Sequence, residues 1–494
     1  MQGSNSLKSK TLTGVLWSFT EMVANQGIQF IIQIILARLL LPEHFGVIGM
    51  ILVFVAISNS IVDCGFSQAL IRDQNTSKED YSTVFYFNLL IASVMYGVLF
   101  ISAHAISVFF DEPQLVEIIR ILSLVLIINS LGIIQKVILI KNVDFKTLTK
   151  VSTIAAIASG TITITFAILG FGVWSLVINI ISMQFVQTVF LWIFNRWIPL
   201  RTFNVTSFKK FFVFGYKLLL SGLIDTFYNN IFYLIIGRYY STSQVGYYTN
   251  AVKFRDLASQ AIAASVQRVS YPVLSAIHED DERLKSGVRK LIKTSAFINF
   301  PLMVGLAAIA NPLFVLLLGD KWLPSVLYFQ LLCLAGMLYP LHSINLNILQ
   351  VKGRSDLFLL LEIIKKTVLT ILIALSFVCH LGIIGLIGAA VLNSYISLFI
   401  NTFYSAKEIS YSPREQIIDV LPVYLASMLM GGIVYLIGII LPYGSLMQLS
   451  IQICCGIVIY LIYSMLTKKQ ELKELFEMIE PIIKILHEKI KPVL

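Results

Sequence analysis

The stretch ARLLLPEHFGVIGMILVFVAISNSIV, residues 37–62, decides the fold. It leaves one apolar segment, turns through Pro42, Glu43 and His44, and enters a second that stays apolar for about 20 residues, the length of a bilayer-crossing helix. A membrane β-strand would alternate between polar and apolar residues with period two, so a β-barrel is excluded. The same pattern repeats along the whole chain. Of 494 residues, 57% are hydrophobic and only 13% are charged, about half the charged fraction of an ordinary soluble domain. With a mean hydropathy of +0.83, a soluble enzyme and a disordered chain are both ruled out.

The reading is therefore an all-α polytopic membrane protein with about fourteen transmembrane helices. They are expected at roughly 12–40, 45–70, 82–110, 114–140, 148–170, 172–195, 211–239, 245–272, 288–318, 323–350, 356–379, 382–406, 416–441 and 445–467. Turn punctuation separates them, as in DEPQ at 111–114, GDKWLP at 319–324 and LPYGS at 441–445. The first apolar run is too long for a signal-peptide core, so it is expected to stay as the first span. A final segment, LKELFEMIEPIIKILHEKI, places Leu472, Leu475, Phe476, Ile479, Ile482, Ile483, Leu486 and Ile490 on one face, the spacing of an interfacial amphipathic helix.

The net charge of +10 reports orientation. With the N-terminus in the cytoplasm, about 26 Lys and Arg fall on inner loops and tails and about three, Arg38, Arg238 and Lys321, on outer turns. Both termini are expected inside, and nucleic acid is not expected as a partner. Five scattered cysteines without CxxC spacing or a nearby His cluster indicate neither a disulfide framework nor a metal site.

An internal repeat appears at a displacement of 200 residues. ARLLLPEHFGVIGM (37–50) aligns with GRYYSTSQVGYYTN (237–250), matching Arg38 to Arg238 and Gly46 to Gly246, and Asn25 and Gln29 match Asp225 and Asn229. Six helices separate equivalent elements, so the halves share one orientation and are related by an axis along the membrane normal. The expected divisions are an N-lobe at 1–200, a C-lobe at 201–410, two added helices at 411–467 and a cytoplasmic tail helix at 468–494.

Charged side chains inside a bilayer are costly, so they mark function. KFRD at 253–256 lies about 12–17 Å from the outer helix end at 1.5 Å per residue. Lys253 and Asp256 are three apart and are expected to pair, with Arg255 pointing elsewhere. Arg268 lies further along the same helix. On a later helix, Glu362 and Lys366 are expected to neutralise one another, leaving Lys365 as a cavity cation. Glu21, Asn25 and Gln29 form a polar ridge on helix 1, and Asp63 and Asp225 add acids. These polar groups either line a cavity or bond helices together. Cations in the interior of two repeated bundles describe a transporter for something anionic and partly hydrophilic. No GxxxxGK[ST] nucleotide loop is present.

The residues SLKSKTLTGVLWSF, ARLLLPEHFG, CGFSQALIRD and VGYYTNAVKFRD resemble the Wzx-type lipopolysaccharide and exopolysaccharide flippases of the multidrug/oligosaccharidyl-lipid/polysaccharide exporter superfamily, over about residues 7–467. The resemblance implies a V-shaped, MATE-like pair of six-helix lobes in a bacterial inner membrane. It also implies a flippase that moves an undecaprenyl-diphosphate-linked oligosaccharide from the cytoplasmic to the outer leaflet by alternating access. Lys253 and Arg255, then Arg268 and Lys365, are the positions that could face the lipid diphosphate. Glu21, Asn25, Gln29, Asp63, Asp225, Asn229 and Asp256 would line the cavity or bind a coupling H⁺ or Na⁺. Membrane lipids and a polysaccharide polymerase with its chain-length machinery would be the partners, with no cofactor and no catalytic residues. Two other readings compete. A cation-coupled drug or small-molecule antiporter of the same superfamily would need acids to dominate the cavity. A membrane-embedded polysaccharide polymerase or ligase would need a large outer loop.

Overall fold

A computed structural model of the chain describes residues 25–73, 75–441, 445–467 and 471. Within these residues the regular structure is helical, and eleven helices are long and apolar enough to cross a membrane, against about fourteen expected. The other three expected positions are helical but differ in kind. The first has only residues 25–39 described, the eighth carries KFRD, and the eleventh carries Glu362, Lys365 and Lys366. The expected tail helix lies outside the described residues except for Glu471. Side chains such as Ile101 (82% exposed) and Val378 (74%) stand on helix surfaces, where lipid is the solvent that tolerates them.

The chain divides into two compact units at Thr249/Asn250. The first contains α1 (residues 25–39), α2 (Pro42–Asp63), α3 (Phe66–Arg72), α4 (Lys78–Phe110), α5 (Leu115–Leu122), α6 (Leu124–Lys141), α7 (Phe145–Ile168), α8 (Val173–Asn195) and α9 (Val205–Tyr239), with the first turns of α10 (Thr242–Ala276). Local chemistry starts these helices. Ser77 and Asp80 form a capping box at α4, Asp144 accepts from the Thr147 N–H at α7, and Asn204 accepts from the Thr206 and Ser207 N–H groups at α9. The Asn204 cap is why α9 begins six residues before its apolar run. The expected second span is broken instead of continuous. Cys64 (φ 49°) and Gly65 (φ 71°) both adopt left-handed backbone, and α3 continues beyond them. A Cβ on Gly65 would lie 2.9 Å from the Gly215 carbonyl oxygen, so the break is also a close backbone approach to α9. Phe66, Leu70, Val84, Phe85, Ile134, Val137 and Phe211 pack around it. The opening turns of α2 and α10 cross at the two glycines that the sequence repeat matches. A Cβ on Gly46 would come within 2.8 Å of the Thr242 carbonyl carbon, and one on Gly246 within 2.7 Å of the Pro42 carbonyl carbon, each closer still to the oxygen.

The second unit takes the rest of α10 and adds α11 (Asp281–Ala308), α12 (Ala310–Leu318), a 3₁₀ turn (Asp320–Trp322), α13 (Leu323–Gly336), α14 (Tyr339–Val351), α15 (Ser355–Val378), α16 (Gly382–Ile409), α17 (Pro413–Ile440) and α18 (Ser445–Leu466). Trp322, Phe300, Phe314 and Phe329 are fully buried at its centre. The helix α17 packs along α11 and is fixed there by charge. Arg289 makes a two-pronged contact with Asp419 (2.6 and 2.7 Å), which also accepts from the Tyr411 hydroxyl at 2.6 Å. Lys285 adds a bond to Glu415 at 3.1 Å. Such planar fork-to-carboxylate pairing is the strong form of an ion pair.

Candidate translocation site

In the second unit buried polarity gathers around a broken helix. The span expected at 323–350 stops at Gly336 and restarts at Tyr339, so the carbonyls at the break lose their helical partners. Side chains from two other helices satisfy them. Asn299 on α11 donates to the carbonyls of Gly336 (3.2 Å) and Met337 (2.8 Å), and Ser259 on α10 donates to Gly336 at 2.7 Å. Arg255 lies against the same point. A Cβ on Gly336 would come within 3.1 Å of Arg255 Cγ, so the glycine leaves room for the arginine stem. The guanidinium sits 5.3 Å from the centre of the Tyr339 ring and bonds to Asp256 through Nε at 2.7 Å.

This arrangement corrects the expected pairing within KFRD. Asp256 is held by its neighbour Arg255, whose side chain is 12% exposed, and Lys253 lies exposed on α10. The helical-wheel argument compared directions of Cβ atoms, but an arginine is long enough to curl back to the next residue's carboxylate. A second correction concerns α15. Glu362 lies 2.5 Å from Lys365 and 3.9 Å from Lys366, so Lys365 is the nearer partner instead of the cation left over. Arg268 lies on the same helix as Lys253.

In the first unit the expected residues are more dispersed. Glu21 lies outside the described residues. Asn25 and Gln29 are half-buried on α1, and Gln29 reaches the Met183 sulfur on α8 at 3.7 Å. Asp63 accepts from Ser67 across the α2–α3 break. Asp225 is half-buried and Asn229 exposed on α9, and the Ser60–Thr226 hydroxyl pair (3.1 Å) ties α9 to α2 between the two acids.

Two further polar networks stand in the helices, the first unforeseen from the sequence and the second at a histidine whose expected role is a hydrogen-bonded helix residue. One is a ladder of amides. Asn129 donates to Asn59 at 2.9 Å, Gln184 donates to Asn129 at 3.1 Å, and Asn195 donates to Gln135 at 2.6 Å. The other surrounds His342, whose ring nitrogens meet Ser394 and Asn401, each at 3.2 Å. Single amides within apolar runs were the available signal, but their partners are distant in sequence. Among the described residues no group of His, Cys, Asp and Glu could hold a metal.

A family model described as a polysaccharide biosynthesis protein matches residues 35–327. The succinoglycan biosynthesis transport protein ExoT of Rhizobium meliloti (strain 1021) is 25% identical over 488 residues, covering 96% of each chain. The lipopolysaccharide biosynthesis protein WzxC of Escherichia coli (strain K12) is 25% identical over 400 residues, covering 80% of this chain and 81% of its own. Among solved structures, the lipid II flippase MurJ in an inward closed conformation superposes with a TM-score of 0.74 at 17% identity, over 92% of this chain and 98% of that one. The fold is thus shared with a flippase.

Proposed function

Because the chain belongs to the polysaccharide biosynthesis protein family, which its match over residues 35–327 establishes, we propose that it is a flippase. On this reading it carries an undecaprenyl-diphosphate-linked oligosaccharide from the cytoplasmic to the outer leaflet by alternating access, with both termini in the cytoplasm of a bacterial inner membrane. The near full-length match to a polysaccharide biosynthesis transport protein is the observation that carries it. The chemistry of α10 adds to it. A diphosphate leaving water needs cations that do not have to be desolvated at the same moment. Lys253, exposed on α10, serves as the first contact while the diphosphate is still hydrated. Arg255, already positioned by Asp256 and Tyr339, serves as the planar one that can exchange a carboxylate for a phosphate. A polymerase and chain-length machinery would receive the product.

The test is reconstitution into liposomes with a fluorescent undecaprenyl-diphosphate oligosaccharide. Protein-dependent movement between leaflets is expected, and Lys253→Ala should slow it while leaving insertion intact. An absence of movement, or gradient-driven uptake of a cationic drug in its place, would overturn the reading. For orientation, cysteines introduced at Lys146 and Asp111 should label from opposite sides.

A further inference from the structure

In the first unit α3 ends at Arg72, α4 begins at Lys78 and α6 ends at Lys141. Beside these ends, a cavity of about 320 Å³ opens against the first turns of α9. Ala69, Arg72 and Asp73 line it from the end of α3, and Lys210, Phe211 and Phe214 from α9. The cations here are of two kinds. Lys141 is occupied by the fold: its ammonium donates to the carbonyls of Leu70 and Asp73 and to the Thr76 hydroxyl, closing the carbonyl end of α3. Arg72 and Lys210 are held only at the rim. Lys210 pairs with Asp73, but its side chain is 54% exposed, and an ion pair that wet contributes little and opens readily. Arg72 is exposed, lies with its guanidinium 4.8 Å from the centre of the Phe214 ring, and makes no ion pair among the described residues. Contact with a ring engages the face of a guanidinium and leaves its N–H donors for an oxyanion.

Two rim cations beside one carboxylate fit a phosphate, and the surroundings decide which kind. The bilayer-length apolar part of α9 starts only at Leu218. Before it, Val205, Phe212, Val213 and Tyr216 are nonetheless exposed, and Phe208, Phe212 and Tyr216 stack at four-residue spacing with ring centres 5.3 and 6.1 Å apart. Water penalises such a face, whereas the boundary between headgroups and acyl chains accommodates it. Trp197 packs against Tyr81 and Phe85, with ring centres 6.4 and 5.9 Å apart, and adds the aromatic belt expected at that depth. The cavity therefore opens at the level of lipid phosphates, with an apolar strip on the same turns of α9. Snorkelling accounts for exposed cations at helix ends but not for a cavity between them. A free phosphate ion would use the cations and none of the strip.

We propose that the α3–α9 cavity binds the phosphate of an anionic phospholipid, with Arg72 and Lys210 on the phosphate and Phe212 and Val213 against an acyl chain. The lipid replaces the Asp73 carboxylate at Lys210 and pins α3, which the left-handed turn at Cys64 and Gly65 sets apart from α2, to α9. On the proposed orientation this is the cytoplasmic leaflet, and the site does not depend on the cargo. The test uses the full chain in phosphatidylcholine nanodiscs containing a small fraction of phosphatidylglycerol with a photoreactive acyl chain. Illumination should attach the lipid to the peptide that contains Phe212 and Val213. Arg72→Gln with Lys210→Gln should lower the yield about tenfold, and Asp73→Asn, which removes the competing carboxylate, should raise it. Lys209→Gln, at an exposed position next to Lys210, is the control for loss of charge alone and should lower it less than the double variant. A yield unchanged in the double variant, or lowered equally by Lys209→Gln, overturns the site. Should the double variant fail to fold, Asp73→Asn decides, since an unchanged or lower yield there overturns it too. Competition separates the two sources of phosphate. Unlabelled phosphatidylglycerol should suppress the labelling and inorganic phosphate should not. Suppression by inorganic phosphate would show a site for the free ion and overturn the lipid assignment.

Discussion

The two units solve the same problem differently. Both hold polar groups among apolar helices, the first mostly with neutral amides and hydroxyls (Asn59, Asn129, Gln184, Ser60, Thr226), while the second adds ion pairs to such bonds: Arg255 with Asp256, the half-exposed Arg289 with Asp419, and Glu362 between two lysines. Amide bonds across helices are weak and tolerant, worth about 0.6 kcal/mol on average and up to about 1.7. An ion pair is strongly conditional, since removing one member leaves the other charged in a medium that cannot solvate it. The two units therefore differ in their electrostatics. The ionic half is where an anionic cargo would be read.

The contrast can be broken most forcefully at Arg255. Arg255→Ala should cost about 3–5 kcal/mol by stranding Asp256, read as a collapse of the folded fraction in detergent. Arg255→Met with Asp256→Leu should restore folding but not transport. If the single variant is as stable as wild type, the second unit does not depend on its ions. Next is Asn299→Val, which leaves the carbonyls at the α13–α14 break without their donor and should cost about 1–3 kcal/mol in thermal unfolding. In the first unit, Asn129→Leu should cost about 0.5–2 kcal/mol, and a loss as large as at Arg255 would erase the distinction between units. The smallest effect lies at Asp73, outside the spans. The Lys210 ammonium beside it holds its carboxyl below the usual range. A lowered folded-state pKa stabilises above the unfolded value of about 3.9 and is lost as pH falls through the folded value. Acidification toward pH 3 should therefore destabilise wild type more than Asp73→Asn, by under about 1 kcal/mol for so exposed a pair.

The helices were readable because their signals are local. Apolar length marks the spans, and Ser77, Asp144 and Asn204 start helices by bonding to residues two or three positions away. The interruptions at Cys64–Gly65 and Met337–Leu338 were missed because each lies within a long apolar stretch, although Asp63 and Gly65 mark the first and Gly336 and Pro340 the second. What allows the second to persist is Asn299 and Ser259 on other helices. The KFRD cluster was found because charge in a membrane is conspicuous. Its internal pairing was missed because reach, and not helical angle alone, decides which cation takes a carboxylate. The amide ladder shows the same limit: each amide is visible in the sequence, and each partnership is made by the fold.

The twin glycines at the α2–α10 crossing also have a consequence for heredity. Positions 46 and 246 are far apart in the gene but share one point of closest approach, so a side chain gained at either would part both contacts. Once one glycine is lost, the other no longer enables anything, and its replacement should cost little. The two substitutions should therefore be strongly non-additive. Relatives that share this crossing are expected to keep both glycines or to lose both, with single-glycine intermediates rare among them.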